Sequence, residues 1–299
     1  MVRGPPDDRS PADLLTFGVV NLDKPPGPSA HQVAAWVRDM IDDALDEVGA
    51  DAEVGRVAHG GTLDPKVTGC LPILLGDAAR AAQVFDDADK EYVTILELHD
   101  RAPADFDEVV GEFEDAVYQK PPRKSAVKRR LRQREIHELD VLEQYDRRAL
   151  VRVRCESGTY VRKLCHDVGL ALGTGAHMGE LRRTATGDFD DAGLVTLHEL
   201  RDALADWTEL GDERPLREAV SPAERALGKY PQVTIAPSAA AEVAQGAPVY
   251  APGVIDAEGE RDEDVLCVTP DGAAVCLGVL VGDPDADSGT VVELERVLV

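Results

Sequence analysis

AHGGTLDPKVTG (58–69) is the stretch on which the reading of this chain turns. Two adjacent glycines, Gly60 and Gly61, let the backbone bend tightly and approach a ligand. Asp64 precedes Pro65, which restricts Asp64 to extended backbone conformations. The result is a carboxylate held at one angle on a stiffened loop. Taken alone, the same residues also describe an ordinary turn in which Asp64 caps a helix. The segment sits inside a Gly-rich span, 49–70, without helical or strand periodicity. Loops that long within a compact domain are usually functional or disordered.

Working outward, FGVVNL (17–22) reads as a buried strand and LDKPPGPSAH (22–31) as a rigid Pro-rich loop. Val33, Val37, Met40, Ile41 and Leu45 recur at helical spacing. LPILL (71–75) and EYVTILEL (91–98) read as strands, with a helix over 77–87 between them and an acidic helix over 105–116 beyond. ALVRVRC (149–155) alternates as a strand with one wet face, and TYVRKLCHDVGLALG (159–173) is an amphipathic helix stopped by glycine. Strands and helices mix without a βαβ repeat, so the expected fold class is α+β, with a mixed sheet. From 231 onward the pattern becomes mostly β. A Pro-Asp-Gly turn there places Cys267 opposite Cys276 across a hairpin. The expected organisation is a flexible tail at 1–16, a large domain at 17–207, a connecting segment at 208–230 around Pro215 and Pro222, and a small module at 231–299.

Bulk composition narrows the classes. No apolar run approaches the roughly 18 residues of a membrane helix, and the first residues lack a signal-peptide stretch. The expectation is a soluble, cytoplasmic protein with no membrane partner. The five cysteines form no C-x-x-C pair, so they read as small buried hydrophobes and not as a zinc site. The 57 acidic residues outnumber the 32 basic ones, giving a net charge of -25. Asp exceeds Glu and Lys is scarce beside Arg. That bias fits a halophilic cytoplasm, where about 1 M salt shortens the Debye length to about 3 Å. Against this background QKPPRKSAVKRRLRQR (119–134) reverses the charge, with eight Lys or Arg and no acid. It reads as an RNA or partner contact through Lys120, Arg123, Lys124, Lys128, Arg129, Arg130 and Arg132, with a solvated surface face as the plainer alternative.

Three further segments join the first. Arg162 falls one turn into the 159–173 helix, in GTYVRKLCHDVG; on its own it is also an ordinary surface arginine. Tyr92 stands at a strand start in KEYV, where a half-buried core aromatic is equally ordinary. LDKPPG reads as a structural turn. Together the four segments resemble the TruB/dyskerin family of pseudouridine synthases, which carries a K-P-x-G loop, an H-G-G-T-L-D-P loop, a K-x-Y strand and a G-T-Y-I/V-R helix in this order. AHMGELRRTATG (176–187) resembles a later family segment, and 231–299 resembles a PUA domain, an RNA-binding module. The basic stretch resembles the archaeal and eukaryotic dyskerin branch. One departure is GPSAH in place of G-P-T-S-H, where Ala30 lacks a hydroxyl. Another is a PUA-like module more acidic than RNA binding usually favours.

The resemblance implies an RNA pseudouridine synthase without cofactor or metal. Its substrates would be the T-loop uridine of tRNA and, within box H/ACA guide particles, rRNA uridines. Its partners would be tRNA, H/ACA guide RNA and small accessory proteins. Asp64 would be the catalytic carboxylate, as nucleophile or as base. Arg162 would pair with it, and Tyr92 would stack on the flipped base and help remove the C5 proton. His59 would brace the vacated space, Leu181 would touch the base, Lys24 and Pro25 would support the loop beside the substrate, and Arg183 would contact RNA. A non-catalytic RNA-binding scaffold is the alternative; loss of Asp64, Tyr92 or Arg162 would have favoured it. A metal-dependent hydrolase using Asp64 and His59 fails for want of further residues at ligand spacing.

The charge balance makes a prediction of its own. Folding and activity should require molar salt, because screening of carboxylate repulsion outweighs the usual loss of nucleic-acid affinity with salt. Circular dichroism and activity measured from about 0.1 to 3 M KCl check it; optimal folding at the low end would contradict it.

Overall fold

A computed structural model describes residues 3–121, 128 and 130–299. From the N-terminus, α1 (Pro11–Thr16) leads into β1 (Gly18–Lys24), α2 (Ala30–Glu47), β2 (Val57–His59) and β3 (Thr68–Leu75). Three-ten turns over Gly76–Phe85 connect to β4 (Lys90–Leu98), α3 (Phe106–Gly111), β5 (Ala116–Gln119), β6 (Arg132–Tyr145) and β7 (Arg148–Cys155). Then come α4 (Val161–Ala171), β8 (Ala176–Thr186), β9 (Phe189–Asp190), α5 (Leu197–Ala205), α6 (Arg214–Ala219) and β10 (Ser221–Pro222). The C-terminal unit holds β11 (Gln232–Ile235), α7 (Pro237–Val243), β12 (Val249–Tyr250), β13 (Val254–Ala257), β14 (Asp264–Val268), β15 (Ala274–Leu280) and β16 (Thr290–Val297).

The first unit is built on one large mixed sheet in the order β10-β1-β3-β8-β4-β7-β6-β5, with β2 added to β3 and β9 to β8. β3 and β8 run parallel, through Thr68–Arg182 and Gly69–Arg183. That pairing is long-range, and it puts β8 at the centre, between β3 and β4. The α+β class is therefore observed. The second sheet has the order β12-β16-β15-β14-β11-β13. Cys267 and Cys276 are direct cross-strand partners in its β14–β15 hairpin, and both are buried free thiols.

Helices cover the sheet where their apolar stripes fall. Val33, Val37, Ile41 and Leu45 of α2 pack with Leu22, Leu71 and Ile73 and with Leu200 and Leu204 of α5. Ser29 caps α2: its hydroxyl accepts from Gln32 N at 3.2 Å while Gln32 Oε1 accepts from Ser29 N at 2.9 Å, a reciprocal capping box. Ala30, next in line, is fully buried in this core, so the missing hydroxyl leaves no gap in the cap. Elsewhere Val161, Leu164, Cys165 and Val168 of α4 pack on Leu96, Val151 and Val153. A third cluster spans both units: Phe17, Val19, Leu74 and Val84 of the first meet Leu266, Val268, Leu277 and Leu298 of the second. The two sheets thus share a core.

Two expected boundaries are corrected. Residues 3–16 are not a loose tail. Ser10 caps α1, Pro11 starts it, and Leu14 and Leu15 are buried. Arg9 is buried against Glu224, donating to both carboxylate oxygens at 2.8 and 2.6 Å, and Arg3 lies 4.1 Å from the Phe17 ring centre. Six helical residues are too few to show periodicity, which hid the helix. Nor is 208–230 a mere connector. Leu216, Val220 and Leu227 are buried, and β10 pairs with the edge of β1 through Gly18–Pro222 and Val19–Ser221. The polar average of the segment conceals apolar residues spaced to reach the core. The helices expected over 77–87 and 105–116 are three-ten turns and a six-residue helix, and the 49–70 loop contains β2.

Phe17 is fully buried where the units meet. Phe17→Ala should cost about 3–5 kcal/mol and unfold both units in one transition. Denaturant unfolding followed by probes in each unit checks this; two separated transitions in the wild type would contradict the shared core.

Candidate active site

Asp64 rides on the turn between β2 and β3. β2 pairs with the end of β3 through Val57–Leu75 and His59–Ile73, which anchors both ends of the excursion. Gly60 N donates to Pro72 O at 2.8 Å, and Val67 N donates to Asp64 O at 2.9 Å, closing the turn. Leu63 and Val67 are buried on either side of the exposed Asp64. Backbone freedom is spent before substrate arrives.

The turn is also held from below. Lys24 is fully buried, and its Nζ donates to Pro25 O at 2.9 Å, Pro65 O at 3.0 Å and Val67 O at 2.8 Å. Gly27 N adds a bond to Pro65 O at 2.8 Å. Burial pushes the Lys24 pKa down, while the nearby Asp64 carboxylate opposes that shift. An ammonium has three protons, and here main-chain carbonyls take all three. Lys24 clamps the Asp64 loop, in keeping with its reading as a loop support near the site, and Pro25 supplies one of the carbonyls; with its ammonium fully buried, Lys24 does not itself reach the surface.

Arg162, in the first turn of α4, donates to Asp64 Oδ2. Both side chains are about half exposed, at 53% and 57%, so the pair contributes little to stability and acts on orientation. The start of α4 is fixed by Gln119 of β5. Its buried amide accepts from Tyr160 N at 2.9 Å and donates to Tyr160 O at 3.3 Å. The β5–β6 hairpin, which carries the basic stretch, is thereby tied to the helix that presents Arg162. Lys120, Lys128 and Arg130 are exposed there, and Arg132 is half-buried. Arg123, Lys124 and Arg129 lie outside the described residues.

Tyr92 on β4 and Leu181 on β8 are half-buried, and each packs against both the α2 and the α4 clusters. Burial raises the Tyr92 pKa; the charge and hydrogen bond of Arg183 oppose it. His59 Nε2 lies 3.4 Å from His31 Nδ1, with the rings edge to face, and burial lowers the His59 pKa. Arg183, expected on RNA, is 1% exposed and donates from Nε to Cys70 O at 2.7 Å. An RNA contact is excluded by that burial. Sequence reasoning also passed over Lys90, the lysine of KEYV. Its buried Nζ donates to Phe85 O and Ala88 O, both at 2.6 Å, and to Ser157 Oγ at 3.1 Å. Burial, and next the Arg183 charge, push its pKa down to about 8. The K-x-Y spacing was the available signal.

An exposed, clamped carboxylate paired with arginine, on a mixed sheet that also carries the half-buried Tyr92, fits the pseudouridine synthase class that the four segments resemble. Comparison with known proteins agrees. Residues 50–105 match the N-terminal domain of the TruB family pseudouridylate synthases, 162–228 the tRNA pseudouridylate synthase B C-terminal domain, 231–298 the PUA domain and 4–34 the DKCLD (NUC011) domain. A probable tRNA pseudouridine synthase B of Haloarcula marismortui is 69% identical over 100% of this chain and 94% of its own length. Its counterpart in Halobacterium salinarum is 58% identical, over 100% and 99%. A solved Cbf5–Nop10–Gar1 complex holds a chain 42% identical, with a TM-score of 0.88, covering 100% of this chain and 90% of that one. An H/ACA RNP bound to a substrate RNA containing 2′-deoxyuridine holds one at 39% and 0.86, covering 100% and 90%. This chain belongs to the TruB family of pseudouridylate synthases.

Arg162→Met should slow single-turnover conversion by at least about 100-fold while changing unfolding free energy by less than about 1 kcal/mol. Rapid-quench kinetics beside thermal unfolding checks it; a stability loss with normal rate would make Arg162 a structural residue.

Proposed function

We propose that this enzyme acts in the cytoplasm on the T-loop uridine of tRNA and, as the catalytic subunit of box H/ACA guide particles, on rRNA uridines. The observation that carries the catalytic assignment is Asp64 itself, exposed yet held on a clamped turn and paired with Arg162. Isomerisation breaks the bond from N1 to ribose, turns the base and rejoins it through C5. Atoms are conserved, with the C5 proton lost and one gained at N1, so the reaction needs neither redox partner nor phosphate donor. A carboxylate at the sugar can start it as nucleophile or as base.

The other roles follow from chemistry. The uridine leaves the stack to reach Asp64, and His59 fills the space behind it. Tyr92 stacks on the base and accepts the C5 proton, while Leu181 supplies apolar contact. Lys120, Lys128, Arg130 and Arg132, with Arg123, Lys124 and Arg129 of the same stretch, offer phosphates a positive surface on an otherwise acidic protein. Residues 231–299 act as the PUA module and hold the end of a tRNA or guide stem. Guide RNA and small accessory proteins are the partners in the second mode. Support for that mode is the likeness over the whole chain to subunits of solved H/ACA assemblies.

Asp64→Asn tests the reading. Tritium release from 5-labelled uridine in a tRNA transcript should fall by at least about 1,000-fold. RNA affinity should stay within about threefold, because phosphate contacts dominate it. Turnover within tenfold of wild type would leave only an RNA-binding scaffold.

A further inference from the structure

Arg183 is the largest side chain that is fully buried. Among the described residues no Asp or Glu forms an ion pair with it, in a chain carrying 57 acids. Burying an unpaired cation is costly, and an apolar residue would fill the space more cheaply if packing were all it did. Its position explains the choice. Arg183 lies on the central strand β8, paired with Tyr92 of β4 on one side and with Gly69 of β3 on the other. Its guanidinium donates to Cys70 O at 2.7 Å and to Gly61 O at 3.3 Å, and Tyr92 stands directly across the β4–β8 pairing from it. Gly61 and Cys70 bracket the turn that carries Asp64. Glycine is required where the turn meets this strand. Gly69 has φ +97°, and a Cβ there would stand 2.2 Å from Arg183 O; at Gly61, with φ +92°, it would stand 3.2 Å from the guanidinium.

We infer that Arg183 is a positioning residue for the isomerisation: one buried guanidinium ties both ends of the Asp64 turn and sets them against Tyr92, its partner across the strand pairing. The inference rests on the role proposed above for Tyr92. Two titratable groups act on the phenol, Arg183 from β8 and the Cys155 thiol from β7. Burial pushes the thiol up to about 12, so it is neutral, and Arg183 supplies the charge. Lys90 and His59 lie within the field of the same cation. When the C5 proton moves to the phenolate oxygen, the C–H electron pair returns to the ring, and the phenol then passes the proton to solvent. The charge of Arg183 offsets part of the burial that favours the neutral phenol. A planar fork aimed at two carbonyls is a geometry that lysine cannot reproduce.

The test is Arg183→Lys alone and combined with Tyr92→Phe, in the full-length protein on a tRNA transcript at saturating enzyme. R183K should slow the single-turnover step by about 100-fold and leave RNA affinity within about twofold, since the residue does not reach solvent. The rise of its rate with pH should move to higher pH. In a Y92F background R183K should add almost nothing, because both act through Tyr92. Normal rate and pH profile in folded R183K, additive losses, or a loss confined to RNA binding would each overturn the inference. Full activity of Y92F would instead remove the Tyr92 assignment and the inference with it. If R183K does not fold, 3-fluorotyrosine at position 92 of the otherwise unaltered protein replaces it. The rise of rate with pH should then move to lower pH with the more acidic phenol, and an unmoved rise would overturn the inference.

Discussion

The ammonium of Lys24 and its three carbonyl acceptors are the constraint from which the site follows. Two loops, 24–27 and 60–67, would each be adaptable alone. Joined through Pro25, Pro65 and Val67, they become one rigid body. A carboxylate on such a body loses little freedom when it meets substrate, which is how positioning contributes to rate. The exposed Asp64–Arg162 pair can be weak in stability and still well placed for the chemistry proposed for it, because its backbone supports are buried.

The distribution of charge inverts from outside to inside. Acids dominate the chain, yet the charged side chains sealed beneath the site are Lys24, Lys90 and Arg183, and all three bond to main-chain carbonyls. Carbonyls leave the cationic charge unneutralised, where carboxylates would cancel it. A positive floor therefore lies under a site that must accept an electron-rich base and an RNA backbone. An acidic chain and a cationic interior coexist because salt screens charges at the surface, whereas screening is weak within.

The parts of this fold that were legible in the sequence are those set by local chemistry. Asp64 before Pro65, the spacing of Val33 to Leu45, and the Pro-Asp-Gly turn that pairs Cys267 with Cys276 could each be read from neighbouring residues. Arg162 and Tyr92 were legible as site residues only through the joint pattern of four segments, because each alone fits a surface or a core. Arg183 was misplaced for the opposite reason. Its run of arginines looks solvent-facing, and only the parallel pairing of β3 with β8, across more than a hundred residues of chain, buries it. The first helix and the 208–230 segment were missed because α1 and α6 are each six residues long and their burial depends on partners far along the chain.

The apolar cluster that joins Phe17 and Leu74 to Leu277 and Leu298 has a mechanical consequence. Arg80 NH1 reaches Val297 O at 3.0 Å, and Glu224 accepts from Ala274 N at 2.9 Å, so polar ties flank the apolar contact. These contacts oppose movement of one unit against the other. Under the proposed function, an RNA that touches the C-terminal sheet and also offers a nucleotide to Asp64 must bridge the interval between them. The protein would then act as a gauge, and choice among RNAs would pass to their own stem lengths and bends.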